Sequence, residues 1–403
     1  MLPEGWRRST LGEIARITSG GTPDRSEPSY WGGDVPWVTT GEIQFNTITE
    51  TAEKITAAGL KNSSAKLFSP GTLLMAMYGQ GKTRGQVAKL GIEAATNQAC
   101  AAIHLHDGCS PDFYFHFLSS QYTTIRELGN AGTQQNLSGG ILKAVTVPVP
   151  PLEEQRRIAS ILATWDDAIA VAGALWAKRM EQARLVREML IGTALKHARF
   201  PLAEVADVRT GLAMGKTGQR DVIEVPYLRV ANVQDGRLDL REVKLIEVAR
   251  EHVSRYALQA GDVLMTEGGD FDKLGRGTVW SGEIDPCLHQ NHVFAVRPKL
   301  GRVLPGFIAA IAASDHGRSY FLSCAKRSTN LASINSTQLK ALPIPLVPMA
   351  EQERIVAIVD AAMQVAHGTK EMVDRLVQEK AALMADLLTG KRRVHLEREG
   401  VAA

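Results

Sequence analysis

Hydrophobic positions along this chain alternate between two regimes. In the first, brief apolar runs at Ile14 to Ile17, Val35 to Val38, Leu73 to Met77 and Ala99 to Ile103 are bounded by Gly, Pro, Asn or Ser, the pattern of short strands joined by turns. A helix is predicted near Asp112 to Leu128, so this region reads as a mixed α/β domain. In the second regime, Leu152 to Ile191 contains no proline, and Ile158, Leu162, Trp165, Ile169, Ala172, Trp176, Ala183, Val186 and Leu190 keep a heptad seam. A displacement of 197 lands the same register on Ile355, Val359, Ala362, Ala366, Thr369, Val373, Leu376, Lys380, Leu383 and Leu387. Such a helix reaches about 60 Å at ~1.5 Å per residue, more than packing one domain needs, so both helices are expected to be spacers. The polar interruptions, Arg179 and Lys380, fall where a coiled coil sets its register.

The chain also repeats itself. Val35-Pro36-Trp37 returns as Val225-Pro226-Tyr227 and Ser69 to Met75 as Gln259 to Met265, both displaced by 190, while Leu142 to Ile158 returns as Leu339 to Ile355, displaced by 197. Several blocks in one order imply a duplicated unit with loop insertions between the matches. The proline-rich segments 147–151 and 343–348 cannot continue a helix or a central strand and are expected to be stiff connectors. The predicted fold class is α/β (α+β): two similar mixed domains, 1–150 and 199–347, joined by spacer helices at 151–198 and 348–391, with a tail at 392–403. The helices are expected to pair as an antiparallel coiled coil about a pseudo-twofold axis. That geometry suits two half-sites on duplex DNA separated by unread base pairs.

Composition narrows this only slightly. With 403 residues, 44% of them hydrophobic, there is material for more than one core. The balance of 46 Lys+Arg against 43 Asp+Glu, net +3, permits nucleic-acid binding but requires any basic patch to be local. The opening residues lack a signal-peptide pattern and no run approaches ~18 apolar residues, so a cytoplasmic protein without membrane contact is expected. Cys100, Cys109, Cys287 and Cys324 are too few for a disulfide framework.

A set of motifs then carries a family resemblance. These are Trp6-Arg-Arg-Ser-Thr-Leu-Gly-Glu-Ile14 with Ser19-Gly-Gly-Thr-Pro23, the turn from Glu267 to Gly277, Asn136-Leu-Ser138 and Ile334-Asn-Ser336, Pro-x-x-Glu-Gln at Pro151 and Pro348, and the ending Asp386 to Lys391. In this order, over essentially the whole chain, they resemble the specificity subunit of type I restriction-modification systems. The resemblance implies a non-catalytic phage-defence subunit whose two target-recognition domains each read half of a bipartite, asymmetric site in double-stranded DNA. It implies two modification subunits that carry S-adenosylmethionine and methylate adenine, and restriction subunits that use ATP and Mg. No cofactor or metal is expected on this chain itself. Partner docking is expected along the helices at Ile158, Leu162, Trp165, Ile169, Trp176, Ile355, Val359, Val373 and Leu376.

Base edges are read by polar side chains, and phosphates are held by Lys, Arg and backbone amides, so exposed loops with both kinds are the candidates. In the first domain these are Thr39, Thr40, Gln80, Lys82, Arg84, Gln134 and Gln135; in the second, Arg229, Asn232, Asp270, Lys273, Arg276, Arg327 and Asn330. The two sets differ in chemistry, so two different half-sites are expected.

Other chemistries fit poorly. Gly211 to Thr217 has three residues between its glycines where a P-loop needs four, and Gly79-Gln-Gly-Lys-Thr83 lacks the first glycine. Cys100, His104, His106 and Cys109 lack paired zinc-ligand spacing, and Phe294 and Pro298 replace the first two in the other copy. Asp235 with Glu242 and Lys244 is a common arrangement in charged chains. No Asn/Asp-Pro-Pro-Tyr segment and no G-x-G-x-x-G after a strand is present. The alternatives are a scaffold whose helices bind partners without sequence-specific DNA reading, and a stand-alone DNA methyltransferase or nuclease. Salt-dependent DNA affinity separates the first from the leading reading, and methylation by the chain alone would favour the second.

Overall fold

The computed structural model describes residues 2–79, 81–129, 136–213, 221–269, 274–327 and 332–394, apart from the side chain of Arg327. By internal contacts the chain forms two units, Met1–Ala172 with Met372–Ala403, and Gly173–Glu371, so each unit takes part of both long helices.

The first unit is built on a five-stranded sheet in the order Ala15–Ser19, Cys100–Leu105, Leu73–Ala76, Val87–Leu90, Thr47–Ile48. Leu73–Ala76 is buried on both faces, which explains its unbroken apolar sequence. One face packs on the helices Pro111–Ser120 and Tyr122–Leu128 and on the root of the long helix, through Phe113, Tyr114, Ile125, Ile158 and Leu162. The other face, through Leu74, Ala76 and Ala88, packs on Val38, Ile43 and Phe68. The one helix expected near 112–128 is thus two, broken at Gln121, whose backbone N–H caps the first.

The second unit repeats this plan. Ala206–Thr210, Val293–Pro298, Val263–Thr266 and Gly277–Val279 are neighbours in that order, as are their counterparts in the first unit. Val222–Leu228 pairs antiparallel with Lys244–Ala249 and parallel with Leu288–His289, just as Trp31–Val38 pairs with Glu53–Ile55 and Ala94–Thr96. The duplication read from the sequence is therefore a duplication of topology. The proline-rich segments differ from expectation, because Thr146–Val149 and Pro343–Pro345 are strands paired with Arg7–Thr10 and Arg199–Pro201. In a two-stranded ladder both strands are edges, so a proline's missing donor can face outward.

The long helices run Leu152–Ala194 and Met349–Leu387. Each is tied at its root by a buried glutamine. Gln155 Oε1 accepts from the Ser110 amide at 2.7 Å, and its Nε2 donates to the Gly108 and Pro150 carbonyls. Gln352 repeats this with the Leu304 amide and the Arg302 and Val347 carbonyls. Within the first unit the helices run antiparallel: Asp166 meets Lys380 and, nearer the root, Glu154 meets Arg393 just beyond the second helix. Within the second unit Arg179 bonds Thr369, and Lys370 lies over the Trp176 ring. Both polar interruptions of the seam thus have partners on the facing helix.

One expectation needs correcting. Leu152–Ala194 is, by length and composition alone, long and apolar enough to cross a membrane, contrary to the expectation that no run of that kind is present. Asp166 and Asp167 lie within this helix, where carboxylates are costly against lipid, and Asp166 is engaged by Lys380 and lies 3.9 Å from His116.

Gln155→Ala leaves one amide and two carbonyls unpaired in a buried place, at a cost of about 1–3 kcal/mol. We expect a drop of several degrees in the melting temperature followed by circular dichroism, and a change under one degree would refute this role. Burial, and then Lys380, pushes His116 down to about 4. The unfolded chain, with an ordinary value near 6.5, takes up a proton that the folded ring refuses. Its contribution is complete above about pH 6.5 and is lost as pH falls toward 4. His116→Gln should flatten the decline in melting temperature across that window, and an unaltered decline would exclude the histidine as its source.

Candidate nucleic-acid interface

In the first domain the loop from Gly79 to Gln86 turns through three glycines with positive φ, Gly79, Gly81 and Gly85, which side-chain-bearing residues rarely tolerate. The loop leans on the helix Tyr122–Leu128. The Tyr122 hydroxyl donates to the Lys82 carbonyl at 2.6 Å, and Arg126 Nη1 donates to the Arg84 carbonyl at 3.2 Å. A β-carbon on Gly85 would stand 3.4 Å from that of Arg126. The second domain builds the same support from other residues. Gly275, also at positive φ, sits against the Phe321 ring of the helix Asp315–Cys324 so closely that a β-carbon would lie 2.1 Å from it. Gly85 and Gly275 are displaced by 190, the spacing of the flanking repeats.

In each domain the fold brings predicted loops together. The Leu137 amide donates to the Met77 carbonyl, and the Ile334 amide donates to the Glu267 carbonyl. Gly268–Gly269 pairs with Ala332–Ser333, which pairs in turn with Lys326–Arg327. Arg276 Nη1 donates to Gln234 Oε1 at 3.0 Å, joining the short strand Val233–Gln234, which follows the predicted segment 229–232, to this group.

The individual candidates divide. Lys82 is exposed and Arg276 half-buried beside Gln234, so both reach the surface. Two expectations fail on burial. Arg84 is 4% exposed and Asn232 is 3% exposed, so neither stands on an open loop. Asn232 spends its amide on the Asp239 and Glu242 carbonyls while its Oδ1 accepts the Arg229 amide. Thr39 and Arg229 are equivalent cap positions of the short helices Thr40–Glu42 and Val230–Asn232. The Thr39 hydroxyl donates to Glu42, and Arg229 is paired with Glu242 at 3.3 Å. Thr40 is half-buried in the first turn. Gln80, Gln134, Gln135, Asp270, Lys273 and Asn330 lie outside the described residues, and Arg327 is described in backbone only, within Lys326–Arg327.

The rejected chemistries are dispersed. Asp235 pairs with Arg318 and Glu242 with Arg229. Cys100 is enclosed in its strand, where burial pushes its thiol up to about 12, and burial likewise lowers His104. Sequence reasoning missed a groove in the first domain, lined by Lys66, Tyr78 and Lys143, because these residues are far apart in the chain.

Along the helices Ile158, Leu162, Ile355 and Val359 are buried in their own units and belong to the cores. Trp165, Ile169, Val373 and Leu376 in the first unit and Trp176 in the second remain half-buried. Beside the former, Val171, Met372 and Val377 are exposed; in the second unit Leu185, Met189 and Val365 are exposed.

A family model for the type I restriction modification DNA specificity domain matches residues 3–175 and 196–371. The StySPI specificity subunit of Salmonella potsdam is 24% identical over 413 residues, covering 96% of this chain and 88% of that relative. The EcoKI specificity subunit of Escherichia coli is 22% identical over 414 residues, with the same coverages. Among solved structures, the type I restriction-modification S subunit of M. genitalium superposes with a TM-score of 0.54 at 16% identity, covering 95% of this chain and 96% of that one. A chain from work on complex assembly and conformational transition of the type I R-M system gives 0.58 at 20% identity, covering 97% and 100%.

Asn232→Ala is expected to act on stability, by about 1–3 kcal/mol through the two carbonyls it strands. Thermal melting checks this: a variant as stable as the parent would return Asn232 to the list of base readers.

Proposed function

We infer the function of this chain from one premise: it belongs to the type I restriction modification DNA specificity family, and it carries that domain twice. It is a specificity subunit. Each domain reads one half of a bipartite site in duplex DNA. The single observation that carries this reading is one topology presenting, on the same glycine-braced loop, different side chains in its two copies. The scaffold recurs because both domains face the same double helix, and the side chains differ because the half-sites differ.

The chain is non-catalytic in this reading. Its helices carry exposed apolar residues in both units, which suit the docking of modification subunits. Those subunits supply S-adenosylmethionine and the adenine-methylating chemistry, and the restriction subunits supply ATP- and Mg-driven cleavage. The contribution of this chain is to choose where that chemistry occurs.

The test is to co-express the chain with a modification subunit of a type I system from the same source, expose DNA to the complex with S-adenosylmethionine, and map methylated positions. Adenine methylation within a split motif is the expected result. Arg276→Ala should then relax or abolish one half of the motif and spare the other. A stable complex that methylates nothing would leave the helices as a scaffold only, and methylation by the chain alone would make it an enzyme.

A further inference from the structure

An open groove of about 670 Å³ lies in the first domain beside the loop that begins at Gly79. Lys66, Lys143, Tyr78, Asn136 and Thr18 line it, and no carboxylate among the described residues does. Neither lysine has an ion-pair partner among the described residues, and both are exposed. Thr18 Oγ1 is buried in the groove wall without a hydrogen-bond partner among the described residues. Two cations and unspent hydroxyl and amide groups in one recess, with no counter-charge, make a site for an anion.

The repeat indicates which anion. Lys143 ends the short helix Gly139–Lys143, and Lys340 ends its counterpart Ser336–Lys340 in the second domain. The flanking Leu-Lys-Ala is identical in the two copies, whereas the loops that carry base-reading candidates are not. A residue that reads bases must differ between domains with different half-sites, and a residue that holds the sugar-phosphate backbone need not.

We propose that this groove seats the phosphate backbone of bound duplex DNA, held by Lys66 and Lys143, and that Lys340 makes the equivalent contact from the second domain. The assignment rests on the DNA-reading function above and adds to it a sequence-independent grip. At the 190-residue displacement of the flanking repeat Lys66 is matched by Tyr256, so the first domain supplies one lysine to this contact that the second does not.

The test uses the full chain in complex with its modification subunits, with labelled duplexes that contain or lack the methylated motif, titrated between about 50 and 200 mM salt. Each phosphate contact contributes about 0.9 to the slope of log affinity against log salt. Lys66→Gln and Lys143→Gln should each reduce the steepness by about that amount, weaken both duplexes alike, and leave the methylated motif unchanged. Lys340→Gln should do the same, while Lys143→Arg retains the parental slope. Melting curves for each variant exclude unfolding as the cause. Parental slopes in the folded variants would overturn the assignment, as would losses confined to the motif-bearing duplex, which would make these residues base readers. A parental complex with no salt-dependent DNA affinity would instead remove the premise.

Discussion

Each long helix must be rooted in its domain to hold its course, and a buried amide side chain does this in both units. Gln155 and Gln352 are buried, and each satisfies one backbone donor and two backbone acceptors from neighbouring segments. A glutamine suits the task because it carries both donors and an acceptor without a charge to desolvate. A carboxylate there would lack the donors, and a leucine would strand three polar groups. The recurring Pro-x-x-Glu-Gln motif is therefore a joint, with Pro151 or Pro348 immediately before the helix, its carbonyl accepting the glutamine's amide, and the glutamine side chain fastening the helix to its domain.

The glutamate of that motif shows what happens to a duplicated residue when its surroundings change. In the first unit Glu154 is buried, accepts from the Trp6 indole at 2.9 Å and pairs with both ends of the Arg393 guanidinium. Arg393 also donates to the Glu4 carbonyl, so one carboxylate joins three segments distant in the sequence. Glu351, its counterpart, is only half-buried. A buried carboxylate persists where a fully matched cation and donor surround it.

Divergence on a fixed frame also explains how two domains of one topology can serve different sequences. The positions of Gly85 and Gly275 and the helix behind them recur, but Tyr122 and Arg126 brace one loop by hydrogen bonds, and Phe321 braces the other by packing. The brace sets the backbone, and the loop side chains are then free to vary.

The sequence alone determined the duplication, the strand runs, the two long helices and the family, because each is written in local periodicity or in blocks that recur in order. It also placed Lys82 and Arg276 on loops that reach the surface. Only the tertiary structure decided that Arg84 and Asn232 are buried, that Thr39 and Arg229 are caps, and that the proline segments are strands. A loop's polarity reveals that it can meet water, but not which of its polar groups face inward to satisfy their own backbone. The groove of Lys66, Tyr78 and Lys143 was invisible for a related reason: it is assembled from positions far apart in the chain, and only folding makes them neighbours.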